Sequence, residues 1–214
     1  MSTMKKDRKK SLAFIQFSLL LAIEIIFCFT VLGTLPALGP LSATLSHVPV
    51  IVTAIVLGTK AGAGMGMAFG TCSFIYWSFV APTITSFLYT PLVSLGEYKG
   101  NFGSLLICFV PRILIGVVTA LVYAGLKRIV KNEVVVCSVA GLLGSLTNTI
   151  LVLGGMALFF SDAFLSLNAA IGTNILYIIG SIVLTNGLPE AVIGALAAAF
   201  VALPVKKAVK KYMK

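Results

Sequence analysis

Few side chains in this sequence can do polar chemistry, and those few sit in apolar surroundings. Arg112 lies in CFVPRILIG, Asn148 in GSLTNTILVLGG, Glu190 in TNGLPEA, His47 in SHVPV and Glu24 in the middle of the first apolar run. Ionisable groups inside membrane-spanning segments are costly and are functional candidates by default. An arginine suits bidentate capture of a carboxylate. Pro111, just before it, lacks an N–H and so frees a backbone carbonyl one turn earlier, which can line a cavity. Two roles stay open for Arg112: an ion pair with Glu190 that pins two helices together, or a ligand contact. One guanidinium can serve both. Asn148 suits an interhelical hydrogen bond or a ligand, and His47 a helix cap or a ligand. Glu24 has no partner in sequence, so a proton or a neighbouring subunit must neutralise it.

Other chemistries lack their residues. There is no GxxxxGK[ST] loop to hold ATP, and a single histidine excludes HExxH zinc chemistry. No GxSxG appears, and no acidic pair shares a helix face for a metal. Cys28, Cys72, Cys108 and Cys137 all fall in apolar stretches without CxxC spacing, which reads as reduced core cysteines. The two halves show no inverted repeat, which weakens a secondary carrier. The expectation is a binding protein, not an enzyme, with no cofactor and no metal of its own.

The elements that must position these residues are membrane helices. The chain has 214 residues, 59% hydrophobic and 10% charged, against about a quarter charged in soluble domains. The net charge of +10 gathers at Lys5 to Lys10, Lys127 to Lys131 and Lys206 to Lys214. Each cluster flanks an apolar run, which sets orientation in a membrane and does not suggest nucleic acid. The apolar run from Leu12 is too long for a signal-peptide core, so it reads as a retained helix. Six spans are expected: about Ser11–Gly33, Val48–Leu57, Ala61–Phe79, Ser104–Leu126, Val134–Phe160 and Leu188–Pro204. The fold class is thus an all-α integral membrane protein, one domain over residues 1–214 with basic tails 1–10 and 205–214.

Ala169 to Leu184 is apolar enough for a seventh span. Charge parity favours six, because only an even count puts all the basic clusters and both termini on the cytoplasmic side. That stretch then reads as a re-entrant or capping segment outside. Three long connections, Thr34 to His47, Ala81 to Gly103 and Ser161 to Asn186, also face outward. Gly62, Gly66 and Gly70 form a repeated GxxxG suited to close helix packing, and Gly141 and Ser145 make a similar pair. Ser18 and Ala22 make a small-xxx-small pair on helix 1, either for packing within the chain or for docking another membrane subunit.

Four segments, SHVPVIVTAIVLGTKAGAGMGMAFGTCSFI, ICFVPRILIGVV, GSLTNTILVLGG and TNGLPEAVIGAL, resemble in order the substrate-specific S components of energy-coupling-factor (ECF) vitamin transporters, over Leu35 to Val201. HVPVI, TSFLYTPLVSLGE and FVPRILIG look most like the pantothenate type. The resemblance implies a six-helix protein in a prokaryotic cell membrane that captures a vitamin outside. Its partners would be a transmembrane coupling subunit and two subunits that hydrolyse ATP, besides membrane lipid, with no nucleic acid. Family helix 1 carries an AxxxA docking motif, matched here by Ser18-x-x-x-Ala22 with serine in the first place. Arg112 would hold the vitamin carboxylate. Asn148, His47, Asn186 and Glu190 would add hydrogen bonds, and the outer loops, with Glu97 and Tyr98, would close over the ligand. Folate and biotin, also carboxylates, are alternatives, as is a self-contained channel or carrier.

Overall fold

The computed structural model describes residues 2–30, 33, 44–83, 85–95 and 98–212. Among them helix dominates: α1 Ser2–Phe29, α2 Val48–Leu57, α3 Thr59–Ile75, α4 Phe102–Leu126, α5 Glu133–Phe159, α6 Ser161–Leu167, α7 Ile175–Ile182, α8 Leu188–Ala197 and α9 Leu203–Tyr212. A π-turn, Tyr76–Val80, extends α3. The connection after it holds a 3-10 turn, Ser86–Leu88, and an antiparallel ribbon of β1 Ser94–Leu95 with β2 Tyr98–Lys99.

By length and composition, four described helices can cross a membrane: Arg8–Phe29, Phe102–Leu126, Glu133–Phe159 and Ile175–Val209. Val48–Leu57 is apolar but shorter. Local signals fix several ends. Asn101 caps α4 by accepting from the Gly103 N–H, and Ser104 Oγ accepts from the Asn101 N–H, a reciprocal capping box. Asn132 caps α5, and Asn174 caps α7. Between α2 and α3 the chain reverses at Gly58, whose φ of 90° favours glycine.

Two boundaries correct the sequence reading. The first helix begins at Ser2 and ends at Phe29, not at Ser11 and Gly33. Lysine and arginine are good helix formers, and no glycine or proline interrupts the basic tail. The larger correction concerns Ala169 to Leu184, expected as a separate re-entrant or capping segment, most of which is the start of the last helix. After the short α6, the chain enters a helix at Ile175 that continues through α8 and α9. Pro189 and Pro204 sit inside this long helix. Each would clash with the carbonyl four residues earlier. Those carbonyls belong to Thr185 and Phe200, which lie in π-turns, Val183–Gly187 and Ala198–Ala202. The wider turns accommodate both prolines without ending the helix.

Glycines set the helix spacing. A Cβ at Gly66 would overlap the Arg112 carbonyl, one at Gly116 the Gly62 backbone, and one at Gly70 would come within 2.8 Å of the Phe109 ring. The Gly62–Gly66–Gly70 stripe is therefore the seat of α4 on α3. Gly141 meets Gly194 and Ala198 in the same way, joining α5 to the last helix. Two apolar clusters result. One gathers Val50, Ile51, Met65, Phe69, Ile115 and Ala140; the other gathers Phe87, Ile107, Val152, Leu153, Phe164 and Ile182. α1 packs one face on the first cluster through Phe17, Leu20 and Leu21 and leaves Phe14, Ile15 and Leu19 each more than 60% exposed.

Candidate functional site

Between the two clusters lies a cavity in two compartments. The larger, about 250 Å³, is lined by Phe27, Phe29, Phe69, Ser73, Tyr76 and Trp77. The smaller, about 130 Å³, is lined by Thr149, Val152, Leu153, Ile182, Asn186 and Glu190. Thr44, Tyr89, Arg112 and Asn148 line both and so mark the junction.

Arg112 sits ten residues into α4, ~15 Å along its axis. Pro111 explains its pose. The proline cannot donate to the Ile107 carbonyl four residues back, and the Arg112 Nη1 donates to that oxygen instead, at 2.6 Å. The guanidinium is thus anchored to its own helix. It lies over the Phe69 and Tyr89 rings, 5.6 and 5.2 Å from their centroids, where cation–π attraction holds it. Arg112 is buried, and its Nε has no hydrogen-bond partner among the described residues. Asn148 Oδ1 and Thr149 Oγ1 are buried and unpartnered in the same sense. A buried polar group left unmade costs about 1–3 kcal/mol, so three of them around one cavity favour a polar ligand that pairs with them.

Arg112 makes no ion pair with Glu190. The Glu190 carboxylate instead accepts from the Thr44 N–H at 2.8 Å and from Thr44 Oγ1 at 3.1 Å. This ties the approach to α2 onto the last helix. His47 is fully buried behind it, Nε2 lying 3.2 Å from the Glu190 carbonyl oxygen. The ring makes no side-chain cap of α2 and does not line the cavity. Asn186 lines the smaller compartment, with Nδ2 donating to Thr185 Oγ1. Tyr98 stands elsewhere: its hydroxyl is 3.0 Å from Ser166 Oγ and its ring stacks on Phe87. It fastens the Ala81–Gly103 connection to α6. Glu97 lies outside the described residues. Glu24 faces inward, its Oε1 accepting from the Cys28 thiol at 3.2 Å, so it does not turn toward a neighbouring subunit.

The aromatic wall escaped the sequence reading. Phe29, Tyr76, Trp77 and Tyr89 form a chain of ring contacts, with centroids 6.1, 5.3 and 5.7 Å apart in turn. Tyr76–Trp77, holding the single tryptophan at the end of α3, was the available signal. Burial pushes the Tyr89 phenol up against the opposing pull of the Arg112 guanidinium, keeping the hydroxyl protonated.

Two comparisons bear on this site. Residues 12–202 match the profile of the family described as ECF transporter, substrate-specific component. The chain is also 33% identical over 195 residues to the pantothenic acid transporter PanT of Lactococcus lactis subsp. cremoris (strain MG1363), covering 90% of this chain and 92% of that protein.

Proposed function

The chain belongs to the family of substrate-specific components of ECF transporters, and from that premise we propose that it captures pantothenate for import. It is a multi-pass membrane protein. The observation that carries the ligand reading is the anchored, half-satisfied Arg112 beside unpartnered Asn148 and Thr149 in an aromatic cavity. Pantothenate offers a carboxylate at one end, an amide in the middle, and two hydroxyls with a gem-dimethyl group at the other. The Glu190 carboxylate repels an anion, so the vitamin carboxylate turns into the larger compartment and pairs with Arg112. The amide meets Asn148. The hydroxyls reach Thr149, Asn186 and Glu190, and the methyls rest on Val152, Leu153 and Ile182. His47 and Thr44 act from behind by holding Glu190, and Tyr98 by holding the covering connection.

Binding of pantothenate to the purified chain tests this. Arg112→Ala removes a charged hydrogen-bond partner from a desolvated site, and should cost about 2–4 kcal/mol, or roughly 30- to 1000-fold in affinity. Unchanged affinity removes Arg112 from the site.

For energy, the chain relies on a coupling subunit and two ATPase subunits, in the cytoplasmic membrane of a prokaryote. Six spans, with α2 and α3 beside the four long helices, put both termini on the cytoplasmic side. The exposed stripe of α1, with Ser18 and Ala22 among Phe14, Ile15 and Leu19, is the docking face. Ala22→Trp should abolish co-purification with a coupling subunit while leaving pantothenate binding intact; retained assembly would sink this assignment.

A further inference from the structure

A second cavity, of about 500 Å³, opens near the C-terminal end of α4, where Ile55, Gly58, Tyr123, Lys127, Arg128 and Lys206 line it. Lys127 is fifteen residues past Arg112 in sequence, ~22 Å along a helix axis, so this is not part of the vitamin site. Three cations converge here. Lys206 Nζ donates to the Ile55 carbonyl at 2.6 Å, an end-of-helix oxygen without a helical donor. The same ammonium stands 3.9 Å from the Tyr123 ring centroid, and the Lys127 ammonium 5.6 Å from it. Two cations thus crowd one ring.

Their compensation is thin. Among the described residues one carboxylate, Glu133, pairs with them, 3.7 Å from Lys127. Both partners are more than 40% exposed, and such a pair contributes at most about 1 kcal/mol. Tyr123 itself is 6% exposed. Its hydroxyl makes no well-aligned hydrogen bond among the described residues, although the Lys127 ammonium acts on it electrostatically. Three cations lining one cavity, with a single exposed carboxylate beside them, suit a tetrahedral oxyanion.

We propose that this cavity binds the phosphate of an anionic phospholipid head group. Its position at helix ends flanked by basic clusters is where a multi-pass protein meets the head-group layer, and basic pockets between helices there hold anionic lipids. Apolar wall from Leu57 and Ala120 gives acyl chains a surface that free phosphate would not use.

Native mass spectrometry of the full chain, released from mixed phosphatidylglycerol and phosphatidylcholine micelles, tests this. The wild type should retain one phosphatidylglycerol in preference to phosphatidylcholine. Lys206→Gln should lower that retention about fivefold, as expected for one cation at a head group. Lys127→Gln, at a half-exposed side chain whose loss preserves the packing if Lys206→Gln does not, should also lower it. Lys99→Gln, on the exposed β2 strand, should leave it unchanged. Both cavity variants should still bind pantothenate, which separates this proposal from the vitamin site. Equal retention of the two lipids, or retention unaffected by both cavity variants, overturns the proposal. Displacement of the lipid by inorganic phosphate reassigns the cavity to free phosphate and overturns the lipid assignment.

Discussion

Pro111 and Arg112 act as one unit. Proline withholds a donor from the Ile107 carbonyl, and arginine supplies it. Pro111→Ala therefore sets two donors competing for one oxygen. The helix gains up to about 3 kcal/mol of intrinsic propensity, while the guanidinium loses an anchor of about 1 kcal/mol. The expected outcome is a raised Tm with pantothenate affinity lowered roughly fivefold; equal or tighter binding would show that the anchor does not preorganise the site. This logic was partly legible in sequence, since a proline before a buried arginine announces a freed carbonyl. That Arg112 itself would take that carbonyl, and leave Glu190 to Thr44, depended on rotamers and on a connection far away in sequence. The aromatic wall stayed hidden for a related reason. Tyr and Trp near helix ends also belong to ordinary membrane interfaces, so their residue types alone did not separate a cavity wall from a belt.

At the scale of elements, small residues were good guides and prolines were poor ones. The Gly62–Gly66–Gly70 stripe marked the face of α3 that meets α4, and the glycine contacts place it there. Because the Gly66 face abuts the Arg112 carbonyl, this packing also sets the depth of the site. Gly66→Leu should push α4 from α3 at a cost of about 1–3 kcal/mol. It should weaken pantothenate binding as well as lower Tm, whereas Gly125→Leu, where an added Cβ meets nothing within 4 Å, should do neither. If Gly66→Leu lowers Tm and spares binding, the stripe supports the fold without positioning Arg112. Pro189, by contrast, reads as a helix start at the level of sequence. The π-turn that carries the helix through it widens the turn without any composition of its own, which is why the last helix came out longer than expected.

For the whole molecule, the division of labour follows from where polar groups can be afforded. Low dielectric surroundings make every unpartnered polar atom expensive, and the described residues concentrate several of theirs around one two-compartment cavity. α1 packs one face on the bundle and leaves an apolar face exposed, proposed above for a partner helix, and the basic end of the bundle holds the separate pocket proposed for a head group. On this proposal, capture, docking and lipid contact occupy three regions that need not interfere. The central claim is that the cavity selects pantothenate. Equilibrium dialysis of labelled pantothenate against the purified chain, with biotin and folate as competitors, tests it most directly. Saturable one-to-one binding is expected, displaced by unlabelled pantothenate and not by the other two vitamins. Absence of saturable binding, or equal displacement by biotin or folate, would contradict it.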